Sequence, residues 1–489
     1  MSIGILSFGG YVPRARLSRQ AIVAANAWFN AGLKALGKGE RSMANWDEDS
    51  VTMAVEAARD CLTGIDRTTL SAIHMASTSF PFQDRQNSGI VAAALDVEGG
   101  IQTLDLSSSQ RAATSGLAAA LRMAAGDGAP ILFTAAEKRR TKAASPLEMT
   151  TGDGAAAVLV GDGDPVATFL AGHTETVDFV DHYRGQDEAY DYTWEERWVR
   201  DEGYMKIVPA AVAAVLAKAG VEPGAVDRFC FPAAARGVAA GLARKMGLRE
   251  DAVADNLQAN LGEAGAAHPL IMLVHALEQA TPGEKILVTG FGQGCDALLF
   301  ETTEALAALP ARMGIAGHLA RRRAESNYQK FLAFNDLITL ERGLRAEVDK
   351  QTGLTTLFRN RGMVEGMIGG RCTQCGTLQF PKSNVCVNPN CGAVDSQEDQ
   401  PFSDVRGRLN SFTADRLTYS PDPPAFYGMI QFDEGGRLMS DFTDVDPDAD
   451  LRVGMPMRMM FRVKDYDTKR GFRRYFWKAT PAENTITEE

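Results

Sequence analysis

Four of the seven cysteines lie in one short window near the C-terminus, and their spacing predicts a metal site. Two residues separate Cys372 from Cys375, four separate Cys386 from Cys391, and each pair is followed by a glycine. Two such pairs place four thiolates at the corners of a tetrahedron, which suits Zn²⁺ and leaves no open coordination position. We therefore predict a structural zinc ion that stabilises the fold without doing chemistry, with free or redox-active thiols as the alternative.

A second group of residues that could take part in chemistry is Ser107–Arg111, which we call the elbow. Here a predicted strand turns sharply into a helix that begins near Gln110. A side chain on this turn lies beside backbone N–H groups at the positive end of the helix dipole. We expect Ser109 and Gln110 to face a substrate there. The amide of Gln110 cannot form a thioester, so transfer through an acyl-enzyme at this residue is excluded.

The other cysteines, Cys61, Cys230 and Cys295, are scattered far upstream, which does not fit a disulfide-stapled secreted protein. We expect a reducing, cytoplasmic setting. The N-terminus has no signal-peptide pattern and no apolar run reaches about 18 residues, so we expect no membrane association. The formal net charge of −11 argues against nucleic-acid binding, which needs a concentrated basic face.

The elements that must position these residues alternate, up to about residue 305, between short apolar strands and alanine-rich helices. The predicted strands are Ser2–Ser7, Ala72–Ser77, Ile131–Ala135, Ala155–Val160, Arg228–Phe231, Lys285–Val288 and Ala297–Phe300. The predicted helices are Asp49–Leu62, Gln110–Ala125, Tyr204–Ala219 and His268–Gln279. Strands separated by helices favour a mostly parallel sheet covered on both faces.

The rest of the chain changes its pattern twice. Around residues 310–370, spaced Leu and Phe among charged residues predict one or two amphipathic helices that form a connector, as in Leu319–Arg323 and Tyr328–Leu344. From about Phe402, short alternating segments and turns rich in Gly, Pro and Asp predict a small antiparallel β domain.

The C-terminal part carries a family resemblance. It rests on the cysteine window CTQCGTLQFPKSNVCVNPNC and on the downstream stretches GRLNSFTADRLTYSP and PPAFYGMIQFDEGGRLMSDFTD. Over roughly residues 325–485 the chain resembles the zinc-ribbon plus OB-fold proteins that accompany thiolase-like enzymes. OB folds also bind oligonucleotides, but the acidic charge balance makes that the weaker inference.

The N-terminal part carries a second resemblance, over about residues 1–305. It rests on five stretches, GILSFGGYVPRARL, EDSVTMAVEAARDCL, DLSSSQRAATSGLAAAL, TTGDGAAAVLVG and ILVTGFGQGCDALLFE. They resemble the hydroxymethylglutaryl-CoA synthase and ketoacyl synthase III branch of the thiolase superfamily. This implies an α/β, duplicated five-layered αβαβα fold, a coenzyme A thioester as substrate and a homodimer. The implied domains are thiolase-like halves at 1–165 and 166–308, a helical connector at 309–368, a zinc ribbon at 369–400 and an OB-fold β domain at 401–485.

The main catalytic positions implied by that resemblance are changed in this chain. Gln110 stands where the family places a nucleophilic cysteine, and Thr78 and Ser79 stand where a glutamate is expected. An implied histidine is replaced at Pro232, and the asparagine of a Gly-Asn motif corresponds to Glu263. Ordinary hydroxymethylglutaryl-CoA synthesis therefore does not fit these residues.

Other residues offer replacements. The run from Gly262 to His268 resembles the Gly-His-Pro loop of degradative thiolases, which implies that His268 donates to a thioester oxygen. Glu263 could then move a proton, so that the pair would stabilise an enolate. The alternative is that His268 begins a helix and bonds to the backbone.

Five further residues follow from the resemblance. Gly292 and Gly294 belong to a segment that resembles the glycine-rich loop lining the site in these folds, and we expect them to contact substrate. Cys295 lies slightly displaced from the thiolase general base and is either catalytic or a small core residue. His182 and Tyr183 fall where the synthase family places substrate-side residues.

The remaining residues suit carbon–carbon bond chemistry beside a thioester. Retro-aldol cleavage of a β-hydroxyacyl-CoA needs a base for the hydroxyl and donors for the departing enolate. Thiolytic cleavage of a β-ketoacyl-CoA would need an acceptor such as Cys295 or an elbow serine. We therefore predict a thiolase-superfamily acyl-CoA lyase or transferase that works by either route or by the reverse condensation. The alternatives are a hydroxymethylglutaryl-CoA synthase-like condensing enzyme or acyltransferase, a decarboxylase, and a non-catalytic scaffold that binds acyl-CoA.

Overall fold

A computed structural model describes residues 2–482 of the chain, which forms two compact units. Unit 1 comprises the residues up to Ala44, Asp49–Gly89 and Gly99–Leu337. Unit 2 comprises Asn45–Glu48, Ile90–Glu98 and the residues from Ile338 onward. The predicted connector is thus divided between the units after Leu337.

The strands before residue 338 are β1 (Ile3–Tyr11), β2 (Ala15–Ser18), β3 (Glu40–Met43), β4 (Ala72–Ala76), β5 (Gln102–Leu106), β6 (Ile131–Glu137), β7 (Gly154–Asp162), β8 (Ala167–Thr176), β9 (His182–Tyr183), β10 (Tyr192–Thr193), β11 (Arg228–Cys230), β12 (Lys285–Phe291), β13 (Gly294–Thr302) and β14 (Arg323–Glu325). The helices are α1 (Arg19–Asn26), α2 (Ser50–Cys61), α3 (Asn87–Ala94), α4 (Ala112–Asp127), α5 (Pro146–Thr150), α6 (Glu196–Trp198), α7 (Met205–Ala219), α8 (Val238–Met246), α9 (His268–Gln279), α10 (Gly314–Ala320) and α11 (Tyr328–Phe334). The strands and helices predicted up to residue 305 all occur in this set, with ends that differ by at most four residues.

The main sheet of unit 1 has nine strands in the order β11-β12-β13-β8-β1-β7-β6-β4-β5. Its parallel pairs are β11 with β12, β4 with β6 and β4 with β5. The other five neighbouring pairs are antiparallel, so the prediction of a mostly parallel sheet is wrong. A physical reason is visible at β12 and β13, which only Gly292 and Gln293 connect, because so short a connection permits only antiparallel pairing.

Helices cover and divide this sheet. α2 packs on β1, β6 and β7 at one outer face, and α7 packs on β8 and β13 at the other. Between the two halves of the sheet, α4 contacts β6 and β13 while α9 contacts β7 and β12. The middle core contains the fully buried side chains of Leu117, Leu121, Leu270 and Phe300. The predicted five-layered αβαβα fold is therefore confirmed.

The helix that follows the elbow is fixed closely to its neighbours by small residues. A Cβ on Gly116 would lie 2.6 Å from the Phe133 ring, so only glycine allows this approach of α4 to β6. The helix ends at Asp127, and Gly128, with a φ of 72°, forms its left-handed C-cap. The start of α4, and with it the elbow, is thereby held at one place after β5.

The helices predicted after residue 310 are shorter in the structure. α11 begins at Tyr328 as predicted but ends at Phe334 rather than Leu344. Asp336 adopts a left-handed φ of 54°, which a continuing α-helix does not allow. The predicted helix Leu319–Arg323 is wrong beyond Ala320, where α10 ends, because Arg323 begins β14, which pairs in parallel with β2.

The elements of unit 2 after residue 338 are α12 (Leu354–Arg359), α13 (Arg361–Val364), β15 (Ile368–Cys372), β16 (Leu378–Gln379), β17 (Gln397–Pro401), β18 (Gly407–Asp415), β19 (Ala425–Phe432), β20 (Arg437–Asp441), β21 (Pro456–Asp467) and β22 (Phe472–Pro481). A three-stranded sheet, β16-β15-β17, carries the cysteine window. A five-stranded antiparallel sheet follows in the order β20-β19-β18-β21-β22, as predicted for the small β domain. Its core includes the buried side chains of Met457, Phe461, Tyr475 and Trp477.

Candidate active site and zinc ribbon

The elbow connects β5 to α4 with a strained backbone. Ser108 has a φ of 73°, a left-handed conformation that is uncommon for residues other than glycine. Such conformations persist where the surrounding structure enforces them, and they are concentrated at functional sites. Gln110 follows, two residues before α4 begins.

A buried carboxylate holds the elbow helix against β13. Asp296 is fully buried, and its Oδ1 accepts hydrogen bonds from Nη1 of Arg111 at 3.0 Å and from Oγ1 of Thr174 at 2.7 Å. Its Oδ2 accepts from Thr114 at 2.9 Å and from Ser115 at 2.5 Å. Four donors therefore fix this carboxylate, which fixes the first turn of α4 in return.

The glycine loop between β12 and β13 lies directly against the elbow. Oγ of Ser109 donates to the carbonyl of Gly292 at 3.1 Å, and Nε of Arg111 donates to the same carbonyl at 2.8 Å. A Cβ on Gly292 would lie 3.0 Å from the backbone nitrogen of Gln110 and 2.8 Å from Oγ of Ser109. Gly294 has a φ of 120°, and a Cβ there would lie 2.1 Å from the carbonyl oxygen of Glu175. The three residues predicted to contact substrate, Ser109, Gly292 and Gly294, thus lie together.

Glu137, at the end of β6, places a carboxyl group beside Thr78 and Ser79. Its Oε1 accepts from the backbone nitrogen of Thr78 at 2.6 Å and from Oγ1 of Thr78 at 2.9 Å. Its Oε2 accepts from Oγ of Ser79 at 2.6 Å. Glu137 is fully buried, and burial raises the pKa of its carboxyl despite these donors and the nearby Arg139.

The guanidinium of Arg139 forms ion pairs with two further acidic residues. Its Nη1 donates to Oε2 of Glu263 at 3.2 Å, and its Nη2 pairs with Asp191. The carboxylates of Glu263 and Asp191 outweigh burial and raise the pKa of Arg139, so the guanidinium stays charged. Asp191 also accepts from Nη1 of Arg184 at 3.1 Å. The predicted residue Glu263 is therefore part of a charged network, bound to an arginine.

Gly265 lies where these groups converge. A Cβ on this residue would lie 2.8 Å from Cδ of Arg139, 3.0 Å from Oε1 of Gln110 and 3.2 Å from Cγ of Glu137. Oε1 of Gln110 and Nε of Arg139 are buried, and neither has a hydrogen-bond partner among residues 2–482. A hydrogen-bond acceptor and a hydrogen-bond donor therefore lie beside Gly265, whose missing Cβ permits their close approach.

His268 lies next to this group, but its ring is engaged elsewhere. Its Nδ1 accepts from the backbone nitrogen of Ala264 at 3.1 Å, and its Nε2 lies 2.9 Å from the carbonyl oxygen of Asn256. The ring is buried, and burial lowers its pKa, which favours the neutral form with the proton on Nε2. Both nitrogens serve the backbone, which matches the alternative in which His268 begins α9 as a structural residue.

Cys295 faces the apolar core on the α7 side of β13. It belongs to the cluster that contains Phe231 and Leu299, and it is fully buried. Burial raises the pKa of its thiol, and Asp296 raises it further, so the reactive thiolate is disfavoured. The structure thus places this thiol among core side chains, away from Gln110.

His182 and Tyr183 form the short strand β9, which pairs with β10. Nδ1 of His182 lies 2.9 Å from Oδ2 of Asp181, whose Oδ1 accepts from Gln293 of the glycine loop at 3.3 Å. Tyr183 is 55% exposed, with its ring centroid 5.4 Å from that of Tyr192. The structure therefore connects His182 to the glycine loop and leaves Tyr183 at the surface of the hairpin.

Sequence reasoning missed Glu137, Arg139 and Asp296. Glu137 and Arg139 follow the apolar run of β6, and a charged pair after a buried strand is a signal that could have identified them. Asp296 stands inside the apolar run of β13, where an isolated acidic residue indicates a buried partner.

The cysteine window forms the predicted metal site. The sulfur atoms of Cys372, Cys375, Cys386 and Cys391 all lie within 4.8 Å of one another. The distance is 3.9 Å between Cys372 and Cys391 and 3.6 Å between Cys375 and Cys386. Zinc–sulfur bonds of about 2.3 Å in a tetrahedron place the sulfurs about 3.8 Å apart, so the four residues fit Zn²⁺. With four protein ligands the site is closed and structural.

Family models match three parts of the chain. Residues 367–395 match "ChsH2, rubredoxin-like zinc ribbon domain", and residues 399–462 match "ChsH2, C-terminal OB-fold domain". Residues 216–300 match the model of the 3-oxoacyl-[acyl-carrier-protein] synthase III C terminus. The predicted zinc ribbon and OB fold, and their fusion to a thiolase-like part, are therefore confirmed.

Curated relatives match the thiolase-like part. A hydroxymethylglutaryl-CoA synthase from Aeropyrum pernix is 30% identical over 337 residues, which cover 67% of this chain and 92% of that protein. A hydroxymethylglutaryl-CoA synthase from Methanosarcina mazei is 27% identical over 353 residues, which cover 70% of this chain and all of that protein.

Solved structures show the same fold at lower identity. A hydroxymethylglutaryl-CoA synthase complexed with CoA superposes with a TM-score of 0.60 at 20% identity and covers 72% of this chain and 96% of that one. The 3-oxoacyl-(acyl carrier protein) synthase III of Pseudomonas aeruginosa superposes with a TM-score of 0.56 at 22% identity. The match covers 62% of this chain and 98% of that one. Over residues 2–482, no helix has both the length and the apolar character needed to cross a bilayer.

Proposed function

The chain belongs to the hydroxymethylglutaryl-CoA synthase family, and on this premise we propose that it makes or breaks a carbon–carbon bond beside the thioester of a β-hydroxyacyl-CoA. The observation that carries the proposal is the pair of polar atoms at Gly265. Oε1 of Gln110 can accept a hydrogen bond and Nε of Arg139 can donate one, and both are buried without a partner within residues 2–482. A hydroxyl group donates one hydrogen bond and accepts others, so a β-hydroxyl is complementary to both atoms.

The nucleophiles near the elbow support a route without a covalent intermediate. The amide of Gln110 is not a nucleophile, and the thiol of Cys295 lies in the core with a raised pKa. The hydroxyl of Ser109 donates to the carbonyl of Gly292. Thiolytic cleavage needs an acyl acceptor on the protein, so these contacts favour aldol or retro-aldol chemistry instead.

The elbow suits the negative charge that this chemistry develops. Retro-aldol cleavage removes the proton of the β-hydroxyl, breaks the Cα–Cβ bond and leaves a carbonyl compound and a thioester enolate. The enolate then takes one proton at Cα and becomes a shorter acyl-CoA. Gly292 allows the glycine loop to approach the backbone nitrogen of Gln110 closely, and the α4 dipole at this turn favours an enolate oxygen. Condensation is the same sequence reversed.

A substrate panel tests the proposal. The purified chain is incubated with β-hydroxyacyl-CoA compounds and, separately, with β-ketoacyl-CoA compounds plus free CoA, and the products are identified by mass spectrometry. We expect a shorter acyl-CoA and a carbonyl product from the first set only. Gln110→Ala should lower kcat/KM by roughly fivefold or more, the effect of losing one hydrogen bond of about 1 kcal/mol. Gln351→Ala, at an exposed position, is the matched control and should leave the rate unchanged.

Two outcomes would contradict this function. Cleavage restricted to the β-ketoacyl-CoA set would identify a thiolytic enzyme. The second candidate, a scaffold that binds acyl-CoA without turnover, is favoured by the glutamine at the elbow. It would be identified by retention on immobilised CoA, an absence of product from either set and co-purification with a second thiolase-like chain that has the elbow cysteine.

We also propose, from the family resemblance and the clustered cysteines, a cytoplasmic homodimer. Light scattering of the purified chain measures its mass in solution. A mass near 105 kDa, about twice the 52.7 kDa of one chain, is expected, and a mass of one chain would contradict the dimer.

A further inference from the structure

We propose that Glu137 is the proton-transfer residue of this site and that it takes the place of the glutamate missing from the loop after β4. The inference rests on the proposed function and names the group that would move the substrate proton. Thr78 and Ser79 stand where the resemblance implies a glutamate. The hydroxyl groups of both residues donate to the carboxyl of Glu137.

Strand pairing explains how Glu137 reaches that position. β4 and β6 are parallel neighbours, and Ala76 pairs with Ala135. Two residues further along, Thr78 and Glu137 therefore leave the same edge of the sheet side by side. A carboxyl on either strand can occupy nearly the same space.

Glu137 also lies beside the two polar atoms that we propose bind the substrate hydroxyl, Oε1 of Gln110 and Nε of Arg139. Cγ of Glu137 and Oε1 of Gln110 lie 3.2 and 3.0 Å from the same point, the Cβ that Gly265 lacks. Glu137 and Gln110 thus border one side of Gly265, together with Cδ of Arg139. We expect a hydroxyl bound by Gln110 and Arg139 to lie near the side chain of Glu137.

The hydrogen bonds around Glu137 suit both of its protonation states. When the carboxyl is ionised, Oγ of Ser79 donates to Oε2 and accepts from the backbone nitrogen of Lys138 at 2.9 Å. When Oε2 carries a proton, Ser79 can accept it and turn its own hydrogen to Oγ of Ser77, which lies 3.3 Å away. A hydroxyl oxygen has two acceptor sites and one donor, so no hydrogen bond is left unmade in either state.

The surrounding charges agree with a carboxyl that exchanges protons. Burial raises the pKa of Glu137, whereas Ser79, Thr78 and Arg139 lower it. The loop before α9 contributes Glu263, the first residue of α9 contributes the neutral ring of His268, and the β9–β10 hairpin contributes Asp191 and Arg184. Arg139 already pairs with Glu263 and Asp191, so its charge is largely compensated before it acts on Glu137.

Glu137 alone can both remove and return the proton that the reaction transfers. The Glu137 carboxylate accepts the β-hydroxyl proton as the Cα–Cβ bond breaks, and the carbonyl product forms. The protonated carboxyl then returns that proton to Cα of the enolate, which gives the shorter acyl-CoA and restores the carboxylate. No oxidant, reductant or covalent intermediate is required.

Glu137→Gln tests the role with little change of shape. The amide keeps an acceptor for Thr78 and a donor for Ser79, so the variant should fold. We expect kcat to fall by about 100-fold or more, the lower end of the usual contribution of a general acid–base, with KM nearly unchanged. Glu188→Gln, an exposed glutamate of the hairpin, is the matched control and should retain full activity. An equal kcat for Glu137→Gln and the unmodified chain would overturn the inference and leave the proposed function intact.

A second measurement separates proton transfer from bond cleavage. Incubation with a short acyl-CoA product in deuterated water should exchange its α-hydrogens, as mass spectrometry detects, and Glu137→Gln should abolish this exchange. If the unmodified chain neither cleaves the panel nor exchanges these hydrogens, both proposals fail. If it exchanges hydrogens without cleaving, only the proposed substrate class fails.

Ser79→Ala gives a readout that a structural role would not produce. Removing this donor to the ionised carboxyl raises the pKa of Glu137, so the acid limb of the plot of kcat against pH should move to higher pH. An unmoved acid limb would exclude Glu137 as the titrating base.

Discussion

Nη1 of Arg111 donates to Oδ1 of Asp296 at 3.0 Å, and this contact ties the first turn of α4 to β13. The carboxylate is fully buried and the arginine side chain is 14% exposed. We expect Asp296→Asn to lower the free energy of unfolding by about 3 kcal/mol, because it leaves a largely buried guanidinium without its counter-charge. Urea unfolding followed by circular dichroism measures this loss.

The matched control for that variant is Asp251→Asn. Asp251 accepts from Nε of Arg249 at 3.0 Å, but its side chain is 76% exposed. The stability should change by less than about 1 kcal/mol, as for other surface ion pairs. Equal losses in the two variants would show that Asp296 does not hold the elbow.

Gly265→Ala tests whether Gln110 and Arg139 bind the substrate. The added methyl group would lie 2.8 Å from Cδ of Arg139 and 3.0 Å from Oε1 of Gln110. We expect kcat/KM for a β-hydroxyacyl-CoA to fall at least roughly tenfold, equivalent to about 1.4 kcal/mol of transition-state binding. Gly283→Ala is the control, since Gly283 also has a positive φ but a Cβ there would meet nothing within 4 Å. Similar activity losses in both variants would attribute the effect to backbone strain.

His268 should make the stability of the chain depend on pH. Burial lowers the pKa of His268 below the ordinary value of 6.5. Just below pH 6.5, the imidazole therefore binds a proton in the unfolded chain but stays neutral in the folded chain. The stability from the neutral ring is complete above pH 6.5 and is lost as the pH falls through the lowered pKa. We expect His268→Gln to flatten this acid limb in unfolding measurements made across that range.

The same variant should also cost stability at neutral pH. The backbone N–H of Ala264 loses its acceptor, which costs about 1–3 kcal/mol for a buried donor. His173→Gln is the control, because that side chain is 23% exposed. An acid limb as steep in His268→Gln as in the unmodified chain would contradict the assignment.

The cysteine window should bind one zinc ion per chain. We expect elemental analysis of the purified protein to find one equivalent, and Cys386→Ser to lose it, because three thiolates no longer close the site. Cys230→Ser, at a buried cysteine of unit 1, should keep its zinc. Retention of a full equivalent by Cys386→Ser would show that the metal lies elsewhere.

Several features of the site could be predicted because neighbouring residues determine them. The elbow follows from a strand, a polar turn and an alanine-rich helix in direct succession. The glycine loop follows from Gly292 and Gly294 between two apolar runs. The zinc ribbon follows from cysteine spacing alone.

The rest depends on contacts between distant segments. Glu137 reaches Thr78 only because β6 pairs with β4, and no pattern near either residue specifies that pair. The sequence leaves the orientation of His268 open, because its ring is held by backbone groups of Asn256 and Ala264 through the fold of the preceding loop. The resemblance leaves the role of Cys295 open, because adjacent strand residues face opposite sides and the sequence alone does not say which side borders the elbow.

That alternation in β13 constrains how the chain can fold. Cys295 lies among Phe231 and Leu299, whereas the next residue, Asp296, faces α4. A shift of one residue in strand pairing would exchange the two side chains and bury a carboxylate in the apolar layer beside α7. An unpaired charge there is prohibitively costly, so misaligned pairing is rejected during assembly. Asp296 thus specifies the pairing register of β13. Because Asp296 also binds the residues after the elbow, the same register fixes the geometry of the elbow.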